Sequence, residues 1–220
     1  MVNKYDSFIF DLDGTICNTL KDIASSVNYS LKYHHYKTYK VNDMKPFLGH
    51  GSKRLIEDAL DKKLENYDSV FKVYMDKYKS DPVRYTKAYP IVTKFLTKAK
   101  EKGIKLFVFT NKPQVLASLV ISKCFKENLF LEVIGVKDTT SKVKPDVEEF
   151  KLLTKKYNID YTSSAYFGDS DVDLITAKNL NVKETYITTW GYQDYSYLKE
   201  YKIQPTKYLF KYKELLDIIK

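Results

Sequence analysis

Ser7-Phe8-Ile9-Phe10 runs directly into Asp11-Leu12-Asp13-Gly14-Thr15. The first four residues read as a short buried strand, and the acids with Gly14 read as an abrupt polar stop at its carboxyl end. The same juxtaposition recurs twice. Lys105-Leu106-Phe107-Val108-Phe109 is followed by Thr110-Asn111-Lys112, and Ser164-Ala165-Tyr166-Phe167 by Gly168-Asp169-Ser170-Asp171-Val172-Asp173. Leu131 to Val136 and Glu184 to Thr188 read as further strands, and Tyr208-Leu209-Phe210 precedes a closing helix to Ile219. Between them the spacing is helical: Ile91 to Lys102, stopped by Gly103; Pro113 to Cys124; Asp146 to Tyr157; Asp171 to Asn179. Strands alternating with helices predict an α/β fold with a Rossmann-like parallel-sheet core.

Between the first strand and Tyr89-Pro90 the pattern is helical throughout. Ile23, Val27 and Leu31 share one face of a helix from Leu20, and Val70, Phe71, Tyr74 and Tyr78 lie near one face of another. Gly49-His50-Gly51-Ser52 marks a turn, with Ser52 placed to cap the helix carrying Leu55, Ile56 and Leu60. The expected organisation is therefore a core of residues 1–16 and 86–220 with a small helical cap, 17–85, inserted after the first strand. Cys17 to Leu20 and Pro82 to Pro90 are the expected hinge segments.

Composition narrows the class. The chain has 220 residues, 44% hydrophobic and 15% aromatic, which argues for a packed core and against disorder. No apolar run reaches the ~20 residues that span a bilayer. The opening residues do not read as a signal peptide, so a cytoplasmic protein without membrane contact is expected. The net charge is +9, yet only Arg54 and Arg84 are arginine. Lysines spread along the chain, without a basic block, predict a solvated surface and not a nucleic-acid reader. Cys17 and Cys124 are too few and too far apart in sequence for a disulfide framework or a zinc site. Cys17 is expected to be a packing residue.

The three polar clusters and Lys144-Pro145 would all meet beyond the carboxyl ends of the strands, where open parallel sheets bind ligands. Asp11, Asp13, Asp169 and Asp173 would crowd negative charge into one crevice, a conflict that a hard divalent cation resolves. Mg²⁺ suits carboxylates, a backbone carbonyl, waters and a substrate phosphate, while Thr110 and Lys144 supply donors for phosphate oxygens. Acids, a cation and phosphate donors together point to phosphoryl transfer.

With these motifs in this order, the chain resembles the haloacid dehalogenase superfamily of Mg²⁺-dependent phosphatases. The phosphoglycolate phosphatase-like branch, with a helical cap after the first strand, is the most similar. That resemblance implies Asp11 as the nucleophile that forms an aspartyl-phosphate, and Asp13 as general acid and then general base. It implies Thr110, Asn111 and Lys144 at the substrate phosphate. It implies metal held by Asp11, Asp13 through its carbonyl, and Asp169, with Asp173 in support. Gly49-His50-Gly51-Ser52-Lys53-Arg54 resembles the branch's cap loop, so His50 and Arg54 are candidate specificity residues; Lys112, in a Thr-Asn-Lys-Pro run typical of the branch, is a third. Asn18-Thr19, Ile91 and Asp146-Val147 depart from the branch's usual Asp-Ser, glycine and second proline.

The function implied is hydrolysis of a small phosphomonoester, phosphoglycolate-like, by a monomer or homodimer with no nucleic-acid partner. Pyrophosphatase, nucleotidase and sugar-phosphate mutase activities use the same machinery. A phosphonate hydrolase would need a cap lysine as nucleophile. A catalytically silent binding protein with a basic surface is the non-enzyme alternative.

Overall fold

The computed structural model describes residues 4–61, 64–137 and 142–220. In chain order its elements begin with β1 (Ser7–Phe10), β2 (Cys17–Asn18), α1 (Leu20–Tyr33), α2 (Gly51–Ala59), α3 (Tyr67–Ser80) and β3 (Lys87–Ala88). There follow α4 (Val92–Glu101), β4 (Lys105–Pro113), α5 (Gln114–Cys124), β5 (Glu132–Val136), α6 (Glu148–Thr154) and β6 (Ala165–Gly168). The chain closes with α7 (Asp171–Leu180), β7 (Glu184–Thr188), α8 (Tyr195–Leu198), β8 (Lys207–Leu209) and α9 (Glu214–Ile218).

Six strands form one parallel sheet in the order β5-β4-β1-β6-β7-β8. The α/β expectation therefore stands. Alternation along the central strands makes two cores. Phe8, Phe10, Leu106, Val108, Ala165 and Phe167 face one way and pack with Phe95 and Leu96 of α4, Ala117 and Val120 of α5, and Leu215 of α9. Ile9, Phe107, Phe109 and Tyr166 face the other way and meet Phe150 of α6 and Ala177 and Leu180 of α7.

The chain leaves β1 for β4 and β5 on one side, then crosses back to β6, β7 and β8 on the other. The loops after β4 and β6 thus flank the carboxyl end of β1, the crevice where such sheets bind ligands.

Helices α1, α2 and α3 share a separate apolar cluster. Ile23, Val27 and Leu31 of α1 meet Leu55 and Ile56 of α2 and Val70, Tyr74 and Tyr78 of α3, with Leu116 of α5 reaching in from below. Two chain segments join this layer to the sheet. They pair as a short antiparallel ribbon, β2 with β3, which the helical reading of this region missed. Asp22, buried at the start of α1, accepts from the backbone N–H groups of Tyr85 and Thr86 and from the Thr86 hydroxyl, so the two crossings are fastened side by side. Two-residue strands carry no period to read, which is why the ribbon is invisible in the sequence.

Other local expectations are adjusted. α2 begins at Gly51 with His50 at its N-cap position and no side-chain cap, so Ser52 lies inside the helix and does not cap it. β4 runs to Pro113, past the expected stop at Thr110-Asn111, but its register with β5 breaks after Phe109 and resumes at Pro113. Thr110, Asn111 and Lys112 are the residues pushed out of register, which aims them at the sheet edge. Cys17 is buried within the apolar core, as its packing reading requires. No helix among the described residues is long and apolar enough to cross a membrane.

Candidate active site

The site grows from the end of β1. The Asp11 N–H donates to Phe167 O at 2.8 Å, carrying the strand one residue past its apolar part and setting the Asp11 side chain between β4 and β6. The chain must then turn at once. Gly14 does so with φ +87°, and a Cβ there would stand 2.2 Å from Asp169 Oδ2. Only glycine meets both demands, the left-handed backbone and the close approach. Gly191 walls Asp169 from the far side, where a Cβ would lie 2.3 Å from Asp169 Cβ.

Lys144 reaches the same point from the loop before α6. Its Nζ donates to Asp11 Oδ1 at 2.7 Å, to Asp173 Oδ1 at 2.8 Å and to the Tyr166 hydroxyl at 3.1 Å. Tyr166 in turn donates to Asp173 Oδ1 at 2.9 Å. The other oxygen of Asp173 accepts from the N–H groups of Asp169 and Ser170 and from the Ser170 hydroxyl, closing a capping box at the start of α7. Asp173 is therefore saturated by protein donors. Asp171, two residues earlier, accepts from Val172 N–H, Gln193 and Tyr197 and takes no part in the crevice.

Single carboxylate oxygens of Asp11, Asp169 and Asp173 lie within 4.8 Å of one another, all buried. Burial pushes the Asp11 carboxyl up to about 7, with the charges of Asp173 and Asp13 adding and Lys144 opposing. Asp169 is held well above the usual range by burial and by the charges of Asp173 and Asp11. Burial opposes ionisation of Asp173 too, but Lys144 and Ser170 outweigh it and hold that carboxyl low. Burial disfavours the Lys144 charge, yet Asp11 and Asp173 keep its pKa well above the ordinary value. Three carboxylates against one ammonium is a donor set that fits a hard cation. With Asp173 saturated, Asp11 and Asp169 are the carboxylates best placed to ligate it.

Asp13 faces the crevice from the other side. Lys112 Nζ lies 3.0 and 3.1 Å from its two oxygens, and the Thr19 hydroxyl donates to Oδ1 at 2.6 Å. The Thr110 hydroxyl accepts from the Lys112 N–H at 3.2 Å, which leaves its own hydrogen to donate elsewhere. Asp11, Asp13, Thr110, Asn111 and Lys112 line a cavity of about 40 Å³, closed above by Ile23, Leu48, Ser52, Leu55 and Tyr74 of the helical layer.

Among the expected site residues, Asn111 and Arg54 have protein partners, and His50 and Arg54 stand outside the first cavity. The Asn111 amide donates to Gly49 O and Lys144 O at 3.0 and 3.2 Å and accepts from Lys144 N–H at 2.7 Å, so its side chain ties loops together. Arg54 pairs with Asp58 and Glu57 on its own helix, and its side chain is 52% exposed. Arg54 and exposed His50 border a second cavity of about 330 Å³, next to the first, with Phe71, Met75 and Val136. Neither lines the Asp11–Asp13 cavity.

Four contributors to the site carry no motif in the sequence. Tyr192 donates its N–H to Asp169 Oδ2 at 2.6 Å, while its hydroxyl accepts from Thr19 N–H at 2.7 Å. Thr19 stands in the sequence only as a departure from Asp-Ser, and Tyr166 and Tyr78, whose hydroxyl accepts from Lys112 Nζ at 2.7 Å, only as apolar positions. The loop after β7 carried a usable signal for Tyr192, because it too leaves the carboxyl edge of the sheet.

Comparison with known proteins agrees with this architecture. The sequence profile of the haloacid dehalogenase-like hydrolase family matches residues 8–187. A phosphoglycolate phosphatase from Psychrobacter arcticus is 29% identical over 96% of this chain and 94% of its own length. One from Aquifex aeolicus is 31% identical over 84% of each. A crystal structure from Lactobacillus delbrueckii subsp. bulgaricus, provisionally designated a phosphoglycolate phosphatase, superposes with a TM-score of 0.89 over 99% of both chains. At 22% identity that likeness speaks to the fold alone. The chain belongs to the haloacid dehalogenase-like hydrolase family, as an enzyme of its phosphatase class.

Proposed function

We propose that the protein hydrolyses a small phosphomonoester, of the phosphoglycolate kind, by passing the phosphoryl group through Asp11. An Asp11 oxygen attacks phosphorus, and the bond from phosphorus to the alcohol oxygen breaks. Asp13 delivers the proton that the leaving oxygen needs. Asp13 then takes a proton from water as the water oxygen attacks the aspartyl-phosphate. Inorganic phosphate leaves and Asp11 is regenerated. Lys144 and Thr110 hold phosphoryl oxygens, and Asn111 keeps the Lys144 loop in register with Gly49.

Asp11, Asp169 and the Asp13 backbone carbonyl would hold Mg²⁺, with Asp173 fixing Lys144 and the start of α7. The bound cation supplies charge stabilisation for the transferring group. Residues 1–16 and 86–220 act as the catalytic core, and 17–85 as a cap that sets the room for the leaving group.

The observation that carries this reading is the pairing of Asp11 and Asp13 in one cavity of about 40 Å³ beneath the helical layer. Both carboxylates face this one space at the carboxyl edge of the sheet, where a small phosphate ester would reach them together. The test is phosphate release at neutral pH from phosphoglycolate, pyrophosphate, nucleoside monophosphates and sugar phosphates, with Mg²⁺ or with EDTA. Mg²⁺-dependent turnover led by a two- or three-carbon ester is expected. Release from none of them by folded, Mg²⁺-supplied protein would remove the reading, and a preference for nucleotides would reassign the substrate.

A further inference from the structure

Lys112 Nζ has three hydrogen-bond acceptors and also lies 4.6 Å from the centre of the Tyr78 ring. Two are the oxygens of Asp13, at 3.0 and 3.1 Å, and the third is the hydroxyl of Tyr78, at 2.7 Å. An ammonium has three hydrogens in fixed tetrahedral directions, so the third contact governs where the first two point. Lys112 sits on the out-of-register end of β4 in the sheet, whereas Tyr78 sits on α3 in the helical layer. Both side chains are buried, Lys112 to 2% exposure and Tyr78 to 1%. Burial, with the nearby Asp13 charge, keeps the phenol protonated, so its oxygen is a neutral acceptor.

We propose that Tyr78 is a positioning residue for proton transfer: from the helical layer it orients Lys112, and Lys112 orients Asp13. This inference rests on the reading of Asp13 as the acid and base. It assigns the layer a task beyond enclosing substrate, because Lys112 has its third partner only while α3 lies over the crevice. Loss of the hydroxyl leaves a buried ammonium hydrogen without an acceptor, and the side chain turns away from its two-point hold on Asp13. The ring of Tyr78 packs in the α1–α3 cluster regardless, so Tyr78→Phe separates positioning from packing.

An effect exerted through the acid must scale with how much the leaving group needs a proton. The measurement is kcat/KM, which reports the first phosphoryl transfer, for phosphoglycolate and for acetyl phosphate. The former expels an alkoxide that requires the proton; the latter expels acetate, which does not. Tyr78→Phe is expected to lower kcat/KM about tenfold for phosphoglycolate, through kcat with KM unchanged, and less than about twofold for acetyl phosphate. Asp13→Asn should show the same selectivity more strongly. In a Lys112→Met background, the Tyr78→Phe effect should vanish.

Equal losses on both substrates, no loss on either, or an effect that persists without Lys112 would overturn the assignment to Tyr78. If Asp13→Asn itself shows no leaving-group selectivity, the acid–base reading of Asp13 fails and the inference falls with it. A Tyr78→Phe protein that does not fold would mean the hydroxyl is structural, and the Lys112→Met selectivity then decides whether Lys112 acts on Asp13.

Discussion

Lys144 Nζ stands 2.7 Å from Asp11 Oδ1, with both side chains nearly sealed from water. The same nitrogen is 2.8 Å from Asp173, so one cation ties the end of β1 to the start of α7.

Replacing Lys144 by Met should therefore damage both activity and folding. Asp11 and Asp173 would lose their shared counter-charge, a change that costs about 3–5 kcal/mol for a broken buried pair. Turnover should fall on the order of 10²–10³-fold, as for the loss of a donor to developing charge. Urea unfolding and phosphate release check the two effects separately. Saturating Mg²⁺ should recover part of the stability and little of the rate.

The raised carboxyls give stability a pH dependence. In metal-free protein Asp11 moves from an ordinary 3.8 to about 7. Asp169 is also held well above its usual range. The folded state thus binds protons more tightly than the unfolded chain. Their contribution is fully present below about pH 4 and is lost as pH rises toward 7 and beyond. Asp173, held low, has the opposite sign and matters only in the acid range. A divalent cation favours the ionised acids, so the rise in Tm on adding Mg²⁺ should be larger at pH 8 than at pH 5. Thermal unfolding with Mg²⁺ and with EDTA at both values tests this; a pH-independent increment would contradict it.

Gly14→Ala should weaken Mg²⁺ activation before it unfolds the protein. The added methyl would sit 2.2 Å from Asp169 Oδ2 on a backbone at φ +87°. Asp169 must move, and the strained turn should cost about 1–3 kcal/mol. The Mg²⁺ concentration for half-maximal activity should rise at least about tenfold.

Asn111 and Arg54 should separate clearly. Asn111→Ala removes three bonds that hold the Lys144 loop and Gly49, and both kcat and KM should worsen, with a loss of about 2–3 kcal/mol in kcat/KM. Arg54→Ala should change kcat/KM less than about twofold, because its partners lie on its own exposed helix face.

Much of this was legible in the sequence. The strands at Ser7–Phe10 and Glu184–Thr188 were bounded by turn-forming or polar residues, and the acids followed strands whose ends share one edge. The departure at Ile91, where the branch commonly has glycine, coincides with φ +69°, a backbone that β-branched residues disfavour. What was hidden depends on chain segments meeting from afar. Tyr192 lies 23 residues from Asp169, and Tyr78 lies 34 from Lys112. A buried tyrosine reads as apolar packing, and nothing in its neighbours reveals where its hydroxyl ends. Asn111 and Arg54 show a related limit: nothing in the sequence reveals the protein partners that local geometry gives each side chain.

Acid quenching during turnover of radiolabelled substrate shows whether Asp11 carries the phosphoryl group. Label is expected on the peptide containing Ser7–Thr15, at Asp11, released by hydroxylamine as for an acyl phosphate. Asp11→Asn should remain folded, take no label and lose turnover. Label on another residue, or steady turnover in the Asp11→Asn protein, would contradict it.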